Sequence, residues 1–284
     1  TVLLLHGHGD LSLAWRDAIP VFTVSGIRCI VPDLLGFGNT SKPIAMETYK
    51  AKPMCNDMVE LLSNAGIEDN QQKVAIVSHD WGTHLGSRLV LHYPHRFSAC
   101  VLVSAPYMPP FPQKIGLGEW TKILPNFSYW EFFSSDKCPA LLREKIALFW
   151  NSTVRAGNEL AVPMSELEGI LTAGKSSSER PAMWDKATYD AYTNAYLRGG
   201  WEAPMTWYKA FFENFNDEET FIHAPRIQHP FLLVVGENDP AIPVEVAKSS
   251  EQYLASATVM SLPAGHWIPQ ELGAELATTV IEWL

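Results

Sequence analysis

Cysteine is scarce, with 4 in 284 residues, which is too few for a disulfide scaffold. Cys29 and Cys100 fall inside apolar runs that read as strands, so both are expected to be buried reduced thiols. Basic residues are in the minority. Lys plus Arg is 21 against 31 Asp plus Glu, a formal net charge of −10, so the chain is not expected to bind nucleic acid over a wide face. No apolar run approaches the roughly 18 residues that a membrane span needs. Charged residues are only 18% and hydrophobic residues 47%, which excludes a disordered chain and leaves material for a sizeable core. There is no internal repeat, and low complexity is confined to Ser176-Ser177-Ser178. An initiator Met is missing too. The chain opens at Thr1 and enters the apolar run Val2–Leu5 at once, so a fragment short of its natural start is expected. A cytoplasmic location is expected, with an earlier signal or anchor left open.

What is present is a rhythm. Val2–Leu5, Ile27–Val31, Val74–Val77 and Ala99–Val103 are short apolar runs. Helical stretches lie between them, about Pro53 to Ala65 and Trp81 to His92. Continuous apolar strands separated by helices predict a parallel sheet buried on both faces. From about Pro109 to Pro225 there is no convincing strand, only helical stretches such as Ala140–Trp150 and Thr188–Leu197. The rhythm then resumes with strands at Phe231–Val235 and Ala257–Leu262 and a helix at Leu272–Leu284. The expectation is therefore an α/β core, 1–108 and 226–284, interrupted by a helical cap, 109–225. Residues 110–225 carry 20 of the 32 aromatic residues. Part of that aromatic material forms the cap's own core, and several of these side chains are expected to line an apolar pocket.

In open α/β sheets ligands bind beyond the carboxyl ends of the strands. Four polar clusters follow predicted strands: His6-Gly7-His8-Gly9, Ser78-His79-Asp80-Trp81-Gly82-Thr83, Asp239 and Gly265-His266. A small–x–nucleophile–x–small turn between strand and helix forms a nucleophile elbow, and nucleophile, acid, histidine is the chain order of the α/β-hydrolase triad. Asp80, Asp239 and His266 follow that order. Asp80 read alone is also a plausible helix cap, Asp239 before Pro240 a plain turn residue, and His266 an ordinary loop histidine.

His79-Asp80-Trp81-Gly82, the two-part sheet and the helical cap resemble the epoxide hydrolase branch of the α/β-hydrolase superfamily. The resemblance covers essentially the whole chain, and it implies further strands ahead of Val2. Pro32-Asp33-Leu34-Leu35-Gly36-Phe37-Gly38 also resembles a loop of that family. Phe127-Ser128-Tyr129 and Trp207-Tyr208 stand where the family keeps two ring-opening tyrosines. The resemblance implies an Asp80 nucleophile, His266 as the base for water, Asp239 as its orienting acid, and Tyr129 and Tyr208 as acids toward the ring oxygen. The backbone N–H groups of His8 and Trp81 would form the oxyanion hole. The implied partners are a small apolar epoxide and water, with no cofactor and no metal. Gly9 stands where the family usually has Pro.

The choice of an aspartate has a chemical reason. Serine attack on a saturated epoxide carbon would leave an inert ether. Carboxylate attack leaves an ester whose carbonyl belongs to the enzyme and which water can split. Three other readings compete with this one. A haloalkane dehalogenase shares the Asp-His-acid set but usually places Asn where His8 stands, and does not need paired cap tyrosines. A ligand receptor on the same fold needs no intact triad. His6-x-His8-x-Asp10 resembles the start of a zinc site, but Leu11 stands where that motif wants histidine. His79 is read as orienting or packing. His84, His92, His95, His223 and His229 receive no role.

Overall fold

The computed structural model describes residues 1–68, 72–160, 162–174, 180–223, 226–240 and 242–284. Ser176–Ser178 and the expected boundary at Pro225 lie outside the described residues. The chain begins with β1 (Val2–Leu5), α1 (Ala18–Val24), β2 (Cys29–Ile30), α2 (Ala51–Asn64), β3 (Val74–His79), α3 (Trp81–His92) and β4 (Phe97–Val103). It then runs through α4 (Leu117–Ile123), α5 (Tyr129–Phe133), α6 (Cys138–Glu144), α7 (Ile146–Thr153), α8 (Leu167–Ala173), α9 (Lys186–Gly199), α10 (Glu202–Ala210) and α11 (Phe215–Glu218). It closes with β5 (Ile227–Gly236), α12 (Val244–Lys248), β6 (Leu254–Leu262), α13 (Ile268–Glu271) and α14 (Gly273–Trp283).

The strands form one parallel sheet in the order β2-β1-β3-β4-β5-β6. Successive residues of β1 alternate between two cores. Leu3 and Leu5 join the cluster that includes α2, α3 and the aromatic helices, whereas Val2 and Leu4 join the one formed with α1 and α14. Both faces of β1 are therefore covered, which is why its sequence is continuously apolar. After β1 the chain turns outward to β2, then returns to place β3 on β1's other side. That reversal is a topological switch point, and it leaves a crevice at the strand ends.

The predicted order of elements is recovered, with local differences. Ala140–Trp150 is two helices, α6 and α7, parted at Lys145, whose backbone (φ −108°, ψ 28°) leaves the helical region. Helix α1 escaped the sequence reading because its seven residues, with Pro20 inside, carry little periodicity. Cys100 is buried as expected, but Cys29 is only partly so, because β2 is a two-residue strand at the sheet edge. Among the described residues no helix is long and apolar enough to cross a membrane.

Candidate active site

Asp80 sits between β3 and α3 with φ 49° and ψ −119°. Positive φ is unusual for a residue with a side chain, and Asp80 makes no side-chain cap bond to α3. The turn lifts the carboxylate out of the strand end rather than folding it back on the helix. The neighbours that permit this are glycines. A Cβ on Gly7 would lie 2.5 Å from Asp80 Cβ, and one on Gly82 would lie 2.5 Å from the Leu5 carbonyl oxygen.

Each carboxylate oxygen of Asp80 has its own environment. Oδ1 accepts the His8 backbone N–H at 2.7 Å. Oδ2 lies 3.6 Å from His266 Nε2. His266 Nδ1 is 2.8 Å from Asp239 Oδ2, and Asp239 Oδ1 accepts the Ile242 N–H at 3.2 Å. Asp239 thus keeps the turn role that its sequence context suggests while also facing the histidine. Trp81 opens α3 directly after Asp80.

The electrostatics follow from these distances. Burial lowers the pKa of His266, but Asp239 and then Asp80 more than offset it, and the value rises from 6.5 to about 10. Burial raises the pKa of Asp80, yet His266, the charge of His79 and the His8 N–H hold it below the ordinary carboxylate range. The resting pair is therefore carboxylate and imidazolium.

Tyr129 opens α5 and Tyr208 lies on α10, and both line the same cavity as Asp80 and His266. The cavity has about 840 Å³ of empty space, mouth included. The tyrosine rings meet edge to face at 6.5 Å, and Tyr208 also packs on His8 at 4.9 Å and Trp81 at 4.8 Å. Burial, reinforced by the charge of Asp80, raises both phenol pKa values, so both hold their protons firmly. All seven residues singled out from sequence, His8, Asp80, Trp81, Tyr129, Tyr208, Asp239 and His266, converge at this crevice.

His6 is engaged inside the protein, with Nε2 accepting the Leu34 N–H at 2.9 Å and Nδ1 donating to the Gly7 carbonyl at 2.8 Å. His79 Nε2 donates to the His266 carbonyl at 2.9 Å, so it steadies the His266 loop. Its Nδ1 faces Asp10 Oδ2 at 3.8 Å, and Asp10 Oδ1 accepts from Tyr192 at 2.5 Å and Gln270 at 3.1 Å. Sequence reasoning missed this buried chain behind His266, since its members are far apart in the sequence.

The description alpha/beta hydrolase fold matches residues 1–271. Epoxide hydrolase srdG of Neurospora crassa is 29% identical, over 100% of this chain and 86% of that protein. Bifunctional epoxide hydrolase 2 of Sus scrofa is 26% identical over 100% of this chain, which spans only 51% of that protein's length. The crystal structure of epoxide hydrolase A from Mycobacterium thermoresistibile superposes with a TM-score of 0.83 at 23% identity, over 100% of this chain and 90% of that one.

Proposed function

The chain belongs to the α/β-hydrolase fold family, and from that premise we propose that it is an epoxide hydrolase, opening an apolar epoxide to a vicinal diol through an ester on Asp80. The observation that carries this reading is the division of labour at Asp80. Asp80 lines the cavity, and there Oδ1 is held by the His8 N–H at 2.7 Å while Oδ2 lies 3.6 Å from His266 Nε2 without a hydrogen bond. Oδ2 is then the attacking atom and Oδ1 the future ester carbonyl.

In the first step Oδ2 attacks a ring carbon, the carbon–oxygen bond of the ring breaks, and the ring oxygen leaves as an alkoxide. Tyr129 and Tyr208 hydrogen-bond that oxygen and supply its proton. A phenol with raised pKa remains protonated until an alkoxide, a far stronger base, demands the proton. Esterification removes the negative charge of Asp80, one of the influences that hold His266 protonated. The imidazole pKa falls, His266 gives up its proton to restore the tyrosine left as phenolate, and it becomes a base only after the nucleophile has reacted. It then takes a proton from water, whose hydroxide adds to the Asp80 carboxyl carbon. The oxyanion develops on Oδ1, where the His8 and Trp81 N–H groups receive it. One such donor is typically worth about 3 kcal/mol. Collapse breaks the bond from the carboxyl carbon to Oδ2, the added hydroxyl passes its proton to the departing alkoxide, and the diol leaves with the carboxylate and the protonated His266 restored.

Residues 109–225 act as the cap over this site, closing the strand ends with apolar rings. The paired tyrosines favour an epoxide over a haloalkane, since a halide leaves without needing an acid. The relatives' names support the same reading. The free cysteines suit a reducing compartment such as the cytoplasm. The deciding assay compares diol formation from styrene oxide, halide release from a bromoalkane, and ligand binding without turnover. Diol formation alone is expected. Halide release without diol formation would make the chain a dehalogenase.

A further inference from the structure

A second cavity meets the first at Asp80 and reads as a smaller arm of it. It has about 440 Å³ of empty space and shares Asp80, Tyr129 and His266 with the larger one. Whereas the larger arm holds the cap rings Phe133 and Phe149, this one is walled by Trp81, His84, Ser104 and Trp130. His84 is 4% exposed and Ser104 0%. Among the described residues, neither ring nitrogen of His84 nor the Ser104 hydroxyl has a hydrogen-bond partner. Buried polar groups are nearly always paired, so an orphaned imidazole and an orphaned hydroxyl lining one small cavity call for an explanation. Ser104 adds strain. It has φ 55°, and with Asp80 it completes the set of non-glycine residues at positive φ among the described residues. Both line this arm.

Building on the epoxide hydrolase reading, we propose that this arm seats a neutral hydrogen-bonding substituent of the substrate, above all a hydroxyl close to the epoxide ring. His84, in the first turn of α3, and Asp80, in the turn that precedes that helix, line the same arm. A group seated against His84 is therefore carried close to the carbon that Asp80 attacks. The rings of Trp81 and Phe211 stand edge-on to His84, fixing the imidazole so that its nitrogens are its only adaptable part. Burial and the charge of Arg88 keep that imidazole neutral. A neutral imidazole offers one donor and one acceptor, and so does a hydroxyl. An anionic substituent finds no such partner, because Arg88 is held by Glu218 at 2.7 and 2.8 Å and by the Met108 carbonyl at 2.6 Å. The substrate is then two-sided, with an apolar group under the cap helices and a short hydroxyl-bearing arm against His84 and Ser104.

The test is a pair of trans-disubstituted epoxides that differ only in carrying a hydroxymethyl or an ethyl group, with styrene oxide as the common control. Unaltered protein should favour the hydroxymethyl epoxide in kcat/KM by about 10-fold or more. H84M should remove most of that preference, and S104A part of it. Equal kcat/KM for the pair in the unaltered protein would overturn the inference without any variant having to fold, as would a preference untouched in both variants. Turnover of styrene oxide without discrimination between the pair sinks this inference alone. No turnover of any epoxide sinks the epoxide hydrolase reading itself.

Discussion

His266 Nε2 lies 3.6 Å from Asp80 Oδ2, beyond hydrogen-bond length, while its Nδ1 lies 2.8 Å from Asp239. The histidine is tethered at its back and only electrostatically paired at its front. An oxygen that is not tied down by a hydrogen bond keeps a lone pair for attack, and the space before Nε2 is where hydrolytic water must later stand.

The two-step route predicts where the oxygen comes from. In a single turnover in heavy-oxygen water, with enzyme in excess, the diol should be unlabelled and Asp80 labelled. Labelled diol on the first turnover would mean that water attacks the ring directly. D80A should lose turnover by about 10⁴-fold or more.

H266Q should form the ester and fail to hydrolyse it. Substrate should then accumulate as a mass increase on the peptide containing Asp80. If substrate binds and no adduct appears, His266 does not act after the nucleophile.

The tyrosines should act on the first half-reaction. Y129F and Y208F should each slow alkylation about 10-fold, and the double variant should nearly abolish it. Burst kinetics separate this from ester hydrolysis. A double variant with normal alkylation would remove the acid role from both.

His266 also makes stability depend on pH. Its folded pKa is about 10, above the ordinary 6.5. The folded state therefore favours its proton. This contribution is complete below pH 6.5 and is lost as pH rises through about 10. Thermal melts should show Tm falling across that window by more in the unaltered protein than in H266Q. Parallel curves would mean that the histidine is not paired as described.

Gly9 has φ 74°, a conformation proline cannot adopt. Installing the residue that the family usually has, G9P, should therefore harm this protein by moving the His8 N–H off Oδ1. Loss of one such donor predicts about a 100-fold fall in kcat, with stability tracked by thermal melt. An unchanged kcat would mean that the His8 N–H is dispensable.

The strand-helix rhythm, the order Asp80, Asp239, His266 and the aromatic weight of the cap were all legible from the sequence. Each depends on local chemistry: apolar runs, small residues flanking an elbow, polar residues at strand ends. The switch point between β1 and β3 was not legible, because strand order follows from long-range pairing that leaves no local mark. The same holds for the assignment of Oδ1 to His8 and Oδ2 to His266, which depends on residues 72 and 186 positions away from Asp80. His84 shows the limit most clearly. In sequence it is one more histidine on a helix. Only the tertiary packing sets Trp81 and Phe211 against it and brings it to one cavity with Ser104, with both nitrogens unpartnered among the described residues, since burial and hydrogen bonding are decided by whatever the rest of the chain brings alongside.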